Sequence, residues 1–168
     1  MKISETHVSE IYTAQDSINL INVYGKLFSK EKEAQQMQQL IEQKMKEFRI
    51  FTNNKPTLNV GYFIWKSPWM VAASNTYINH LLALNKYMNY YEDLDRYPEV
   101  LINDIDSAKI DAIFLSSEPF PFSEKHISEF KNKLPYTKVI LVDGEMFSWH
   151  GSRLIKAFDY FIKLRNSI

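Results

Sequence analysis

Cysteine is absent from the 168-residue chain, which excludes disulfides, thiolate metal sites and cysteine nucleophiles. Glycine is nearly as scarce, at four residues, Gly25, Gly61, Gly144 and Gly151. They form neither a G-x-G-x-x-G turn nor a Walker A loop, so a glycine-rich phosphate cradle is disfavoured. Net charge is missing too: Lys+Arg number 20 and Asp+Glu number 20. Nucleic-acid binding by phosphate neutralisation needs a basic excess, so no nucleic-acid partner is expected. A polybasic membrane anchor or an acidic tail is disfavoured by the same balance. No apolar run approaches about 18 residues, which leaves no transmembrane helix in the sequence. The stretch Met1 to His7 lacks the basic-then-apolar layout of a secretory signal, and the chain as written reads as cytoplasmic. His7, His80, His126 and His150 show no i, i+4 pair and no H-E-x-x-H, so neither a metal site nor a cofactor is expected.

What the chain has in quantity is rings: 11 Phe, 10 Tyr and 3 Trp. Rings fill cores, and they also line ligand clefts. Hydrophobic residues at 45% and charged residues at 24% are ordinary for a globular domain. A chain of this length can bury roughly 70% of its unfolded surface without staples.

Hydrophobic spacing divides the chain. Val8 to Tyr12 reads as a short strand. Thr13 is placed to cap a helix carrying Ile18, Leu20, Ile21, Val23, Tyr24, Leu27 and Phe28 at helical spacing. Ser29 reads as the cap of a long polar helix from Lys30 to Arg49, with a narrow apolar stripe of Met37, Leu40, Ile41, Met45 and Phe48. After a break at Asn53 to Pro56 the pattern alternates strand and helix. Leu58 to Trp65, Ala112 to Leu115 and Lys138 to Val142 read as strands. Between and after them, helices are expected from a cap at Ser74 or Asn75 to Asn85, from Ser123 with Ile127, Phe130 and Leu134 inward, and from Ser152 to Leu164. The first of these turns Ile78, Leu81, Leu82 and Leu84 inward. The last turns Leu154, Ile155, Phe158, Phe161 and Ile162 inward. Such alternation implies a three-layer α/β body with a parallel sheet.

Ligands of open parallel sheets bind outside the carboxyl ends of the strands. Three segments fall there: Trp65 to Met70, Ser116 to Phe122, and Asp143 to Arg153. All three are rich in rings, and each carries a few polar groups. Trp65 and Trp69 either cap the core or stack on a ligand. Asp143 and Glu145 read as a solvated pair or as general acid and base. Ser116 and Ser117 lack the G-x-S-x-G elbow of a nucleophile. The loop Asp93 to Val100 offers Arg96 as a charged donor and Tyr97 as a stacking ring, unless local ion pairs tie it down.

Four blocks in order, Ile64-Trp65-Lys66-Ser67-Pro68-Trp69-Met70, Asp95-Arg96-Tyr97-Pro98-Glu99-Val100, Leu115-Ser116-Ser117-Glu118-Pro119-Phe120-Pro121-Phe122 and Val142-Asp143-Gly144-Glu145-Met146-Phe147-Ser148-Trp149, resemble a known pattern. It is that of the C-terminal lobe of ABC-transporter substrate-binding proteins (periplasmic binding proteins) with a helical backbone. That group carries cobalamin, haem and iron–siderophore complexes. The resemblance implies a non-enzymatic binding lobe over residues 55–168. Residues 1–54 would be a remnant of the N-terminal lobe plus the connecting helix, most of the first lobe being absent. It implies a cleft wall of Trp65, Trp69, Arg96, Tyr97, Ser117, Glu118, Glu145 and Trp149. Docking on the transporter permease would fall to Asp104, and the location would be periplasmic or membrane-associated. The helix face within residues 8–28 would be covered by a second copy in a homodimer. The competing readings are a truncated structural or regulatory dimer that no longer binds, and an α/β hydrolytic enzyme using Asp143, Glu145 or Ser117.

Overall fold

The computed structural model describes residues 7–168. The expectation about a leader in Met1 to Thr6 lies outside them. The strand expected over Val8 to Tyr12 does not form, and this stretch is irregular. A strand needs a neighbouring backbone to complete its ladder, and among the described residues the sheet contains no partner for it. Thr13 does cap helix α1 (Ala14–Leu27). Its hydroxyl accepts the Asp16 N–H at 3.1 Å while the Asp16 carboxylate accepts the Thr13 N–H at 2.8 Å, a reciprocal capping box.

Helix α2 (Glu31–Thr52) follows after a tight turn. Ser29 is not its cap. It sits in the left-handed region with φ 54° and forms the turn, leaving Lys30 at the N-cap without a side-chain bond. Gly25 is required at this crossing, because a Cβ there would lie 2.4 Å from the Ala34 Cβ. Ile41 and Phe48 are fully buried, with Met37 and Met45 half-buried beside them. Leu40, expected in the stripe, is exposed; it lies about 100° round the helix from Ile41.

The sheet contains β1 (Leu58–Trp65), β2 (Met70–Val71), β3 (Tyr87–Asn89), β4 (Ala112–Ser116) and β5 (Lys138–Val142). The three expected strands, β1, β4 and β5, are adjacent and parallel, with Gly61 opposite Ile113 and Phe114 opposite Ile140. On the other side of β1, β3 runs parallel to its first half and β2 runs antiparallel to its last. The sheet is therefore open and mostly parallel.

Helices α3 (Tyr77–Leu84), α4 (Glu124–Lys133), α5 (Gly144–Ser148) and α6 (Arg153–Ser167) complete the layers. Alternation along the strands sorts the core. Val60, Tyr62, Ile64, Ala112 and Phe114 face α1, α2, α3, α5 and α6. Phe63, Ile113 and Leu115 face α4. On the first side Phe48 meets Phe158 at 5.5 Å between ring centroids, and Phe147 meets Phe161 at 4.7 Å. The cap of α3 is Thr76, whose hydroxyl accepts the Asn79 N–H at 3.1 Å. Asn75, at φ 55°, and Ser74, bonded to the Leu94 carbonyl, belong instead to the preceding turn. Ser123 caps α4 as expected, helped by His126, whose Nδ1 accepts the Ser123 N–H at 2.9 Å. Helix α6 starts one residue after Ser152, with Leu154, Phe158 and Phe161 buried and Ile155 and Ile162 half-buried.

Candidate functional site

The carboxyl ends of β4 and β5 carry a closely coupled group. Gly144 begins α5 against the 116–118 turn; a Cβ there would come within 2.4 Å of Ser116 Oγ and 2.6 Å of Glu118 Cγ. This close approach lets the Gly144 N–H donate to Ser117 Oγ at 2.9 Å. It also brings α5 over Glu118, whose Oε1 accepts the indole N–H of Trp149 at 2.7 Å and the Ser148 hydroxyl at 2.9 Å. Arg153 closes the group, bonded to Glu145 at 2.7 Å and lying over the Trp149 ring at 5.1 Å. Ser117, Glu118, Glu145 and Arg153 share a groove of about 660 Å³. The Trp149 ring remains 49% exposed.

This arrangement bears on acid–base and nucleophile chemistry. Asp143 is the N-cap of α5, accepting the Glu145 N–H at 3.1 Å, and Glu145 is paired with Arg153. Ser116 is buried, donating to the Glu118 carbonyl at 2.6 Å and lying 3.2 Å from the Tyr62 hydroxyl. Ser117 Oγ accepts the Gly144 N–H, and among the described residues it donates to no histidine that could activate it. What the groove offers is carboxylate and guanidinium groups beside an exposed indole, the composition of a binding surface.

The other expected residues flank this group. Trp65, at the carboxyl end of β1, is 39% exposed and packs edge-on to Phe120 at 5.7 Å. Arg96 and Tyr97 lie on a segment hydrogen-bonded along Trp69 to Ser74, with Ala73 N–H on Arg96 O at 2.8 Å and Arg96 N–H on Ser74 O at 2.9 Å. Arg96 has φ 54°, an uncommon conformation for a non-glycine residue. The two residues line a cavity with Tyr12, Thr76 and Tyr77, and Tyr97 is 41% exposed. Tyr77 links this cavity to the main group through its edge contact with His150 at 6.5 Å, next to Trp149. Burial raises the Tyr77 phenol pKa well above its ordinary value, so the hydroxyl stays protonated. Trp69 differs: it stacks on Phe122 at 6.0 Å and packs edge-on to Phe63 and Phe130 in the α4 layer. It lines a separate cavity that also contains Asp104.

Sequence reasoning missed Arg153, Tyr77, His150 and Tyr12. Arg153 carried a signal, an arginine opening a helix eight residues beyond Glu145. The others become neighbours only through the packing of α1, α3 and α5. Among the described residues no cluster of three or more His, Asp or Glu side chains is placed to hold a metal ion.

Comparison with curated protein sequences gives no match. Solved structures share the fold. A possible iron-binding, periplasmic solute-binding protein from Staphylococcus epidermidis is 17% identical with a TM-score of 0.80, over 96% of this chain and 64% of that one. The periplasmic vitamin B12 binding protein of Vibrio cholerae is 14% identical with a TM-score of 0.76, over 95% and 65%. A periplasmic heme-binding protein from Roseiflexus is 11% identical with a TM-score of 0.77, over 92% and 64%. The chain thus spans just under two thirds of the length of these structures. The sequence profile of the periplasmic binding protein family matches residues 5–136, most of the chain, and the protein belongs to that family.

Proposed function

We propose that this chain is a ligand-binding lobe of an ABC-transporter substrate-binding protein, taking a metal chelate or corrinoid of the haem, cobalamin or iron–siderophore type. The observation that carries the reading is the Glu118–Trp149–Arg153–Glu145 group on the strand carboxyl ends, an exposed indole braced by charges in a family of binding proteins. Trp65, Arg96, Tyr97 and Ser117 complete the proposed wall, and Trp69, expected there from the sequence, is left out of it because it packs into the α4 layer. Specificity comes from stacking and a few charges, and no catalytic step is assigned. Residues 1–54 correspond to part of the first lobe and its connecting helix, and 55–168 to the second lobe. The exposed Asp104 carboxylate docks on the permease, which places the working site in the periplasm or at the membrane surface. A homodimer forms through residues 8–28.

Taken by itself, the 168-residue chain presents one wall and leaves part of a ligand exposed, against burial of about 70–90% in a closed pocket. Affinity is therefore expected in the micromolar rather than the nanomolar range. Tryptophan fluorescence titrated with cobinamide, haemin and a ferric hydroxamate tests the reading. Saturable quenching by one of the three is expected, weakened several-fold in Arg153→Ala. No quenching by any of them rejects ligand binding and leaves the non-binding dimer.

A further inference from the structure

A second cavity, of about 560 Å³, opens beside the 3₁₀ turn Ile102–Asp104 and shares no lining residue with the Glu118–Arg153 groove. Leu94 and Leu101 form apolar walls, and Glu99 and Asp104 bring two carboxylates. Among the described residues no basic side chain lines it. Two bases beside it are engaged elsewhere, Lys66, over the Trp69 ring, on Glu129, and Lys133 on Asn103. Among the described residues neither Glu99 nor Asp104 has an ion-pair partner.

Tyr91 supplies an independent observation. It lines the same cavity and is only 8% exposed. Its hydroxyl is buried without a hydrogen-bond partner among the described residues. A buried hydroxyl left unpaired carries a desolvation cost that a ligand can relieve. Its phenol lies within electrostatic reach of Asp104, one of the groups that raise its pKa after burial itself.

We propose that this cavity binds a small organic ammonium: a protonated amine on an apolar body. The ammonium donates to the Asp104 and Glu99 carboxylates and to the Tyr91 hydroxyl oxygen, and the body lies against Leu94 and Leu101. An anion would meet two like charges, and a purely apolar ligand would leave the hydroxyl and both carboxylates unpaired. Stacking on Trp69 contributes little, since Phe122 covers one face of that ring and the Lys66 ammonium lies over it as well. The inference does not rest on the ligand reading above, and a permease docked on Asp104 would compete with the ammonium for that carboxylate.

The chain's three tryptophans allow a direct test. In Trp65→Phe/Trp149→Phe, Trp69 is the single reporter at the edge of the cavity, and the indoles of the proposed ligand wall are gone. Titration with phenylbutylammonium should change the Trp69 emission saturably. The neutral isostere phenylbutanol should bind at least about tenfold more weakly, the usual worth of a charge-assisted bond. Asp104→Asn, at an exposed position, and Tyr91→Phe should each weaken the amine several-fold without changing the alcohol. Circular dichroism checks that both variants are folded, and Asp104→Asn carries the test alone if Tyr91→Phe is not. Equal affinity for amine and alcohol, no saturable response to the amine, or an affinity unmoved by Asp104→Asn overturns the proposal.

Discussion

His126 closes the first turn of α4 as a neutral ring, its Nδ1 occupied by the Ser123 N–H. Burial holds its pKa below the ordinary histidine value of 6.5, with Lys66 and Lys125 acting in the same direction and Glu129 against them. His80 is lowered by burial as well, opposed by Asp16. For both groups the unfolded chain takes up a proton that the native ring refuses. Their contribution to stability is complete above 6.5 and is lost as the pH falls below it towards the lowered native values. Asp16, held low chiefly by its bond to Thr13, acts in a separate window below its ordinary 3.8. The urea midpoint should therefore drop on acidification through 6.5, well before the carboxylates titrate. His126→Gln should show a shallower drop, the remainder belonging to His80; parallel curves for wild type and variant would contradict the assignment. The capping role of Ser123 was legible because a hydroxyl stood just before an apolar run. That His126 completes the cap was not, since histidine has no strong capping signature.

At the scale of elements, Gly25 shows how packing reverses a propensity. In an exposed helix interior, glycine to alanine gains about 1 kcal/mol. Here the added methyl would stand 2.4 Å from the Ala34 Cβ, so Gly25→Ala should destabilise by roughly 1–3 kcal/mol through overpacking of α1 on α2. Adding Ala34→Gly should recover part of that loss, and a double-mutant cycle on the denaturation midpoints measures the coupling. A gain in stability from Gly25→Ala alone would show that the helices can move apart. The elements readable from sequence were the long or strongly periodic ones: β1, β4, β5, α1, α2, α3, α4 and α6. The strands β2 and β3, of two and three residues, are too short to show a period. Helix α5 spans five residues and looked like loop. Caps shifted from Ser29 to Lys30 and from Ser74 or Asn75 to Thr76 because several polar residues compete at each turn and backbone geometry chooses among them.

At the scale of the molecule, α1 has two dissimilar faces. Ala14 and Ile18 are buried with α2 and α3, whereas Leu27 is 61% and Phe28 66% exposed, beside the half-covered Val23 and Tyr24. Contiguous apolar surface of this kind is uncommon on a monomer. A second copy covering it is the proposed solution, and light scattering at high micromolar concentration should report a dimer. Leu27→Lys/Phe28→Lys should convert it to monomer with the far-ultraviolet circular dichroism unchanged. A wild-type chain that stays monomeric would remove the dimer from the reading.

Several things were settled by sequence alone. The alternating pattern, the continuous apolar strands and the four loop blocks determined a mostly parallel α/β sheet with ring-bearing loops following its strands. Periodicity reports burial locally, and burial is a property of each segment. Which loop residues touch was decided only by the tertiary structure. Glu118 meets Trp149 across 31 positions, Gly144 reaches Ser117 across 27, and Trp69 joins the α4 layer and a different cavity. Those pairings depend on strand order and on the close approach that Gly144 permits, distances in space that no local spacing encodes.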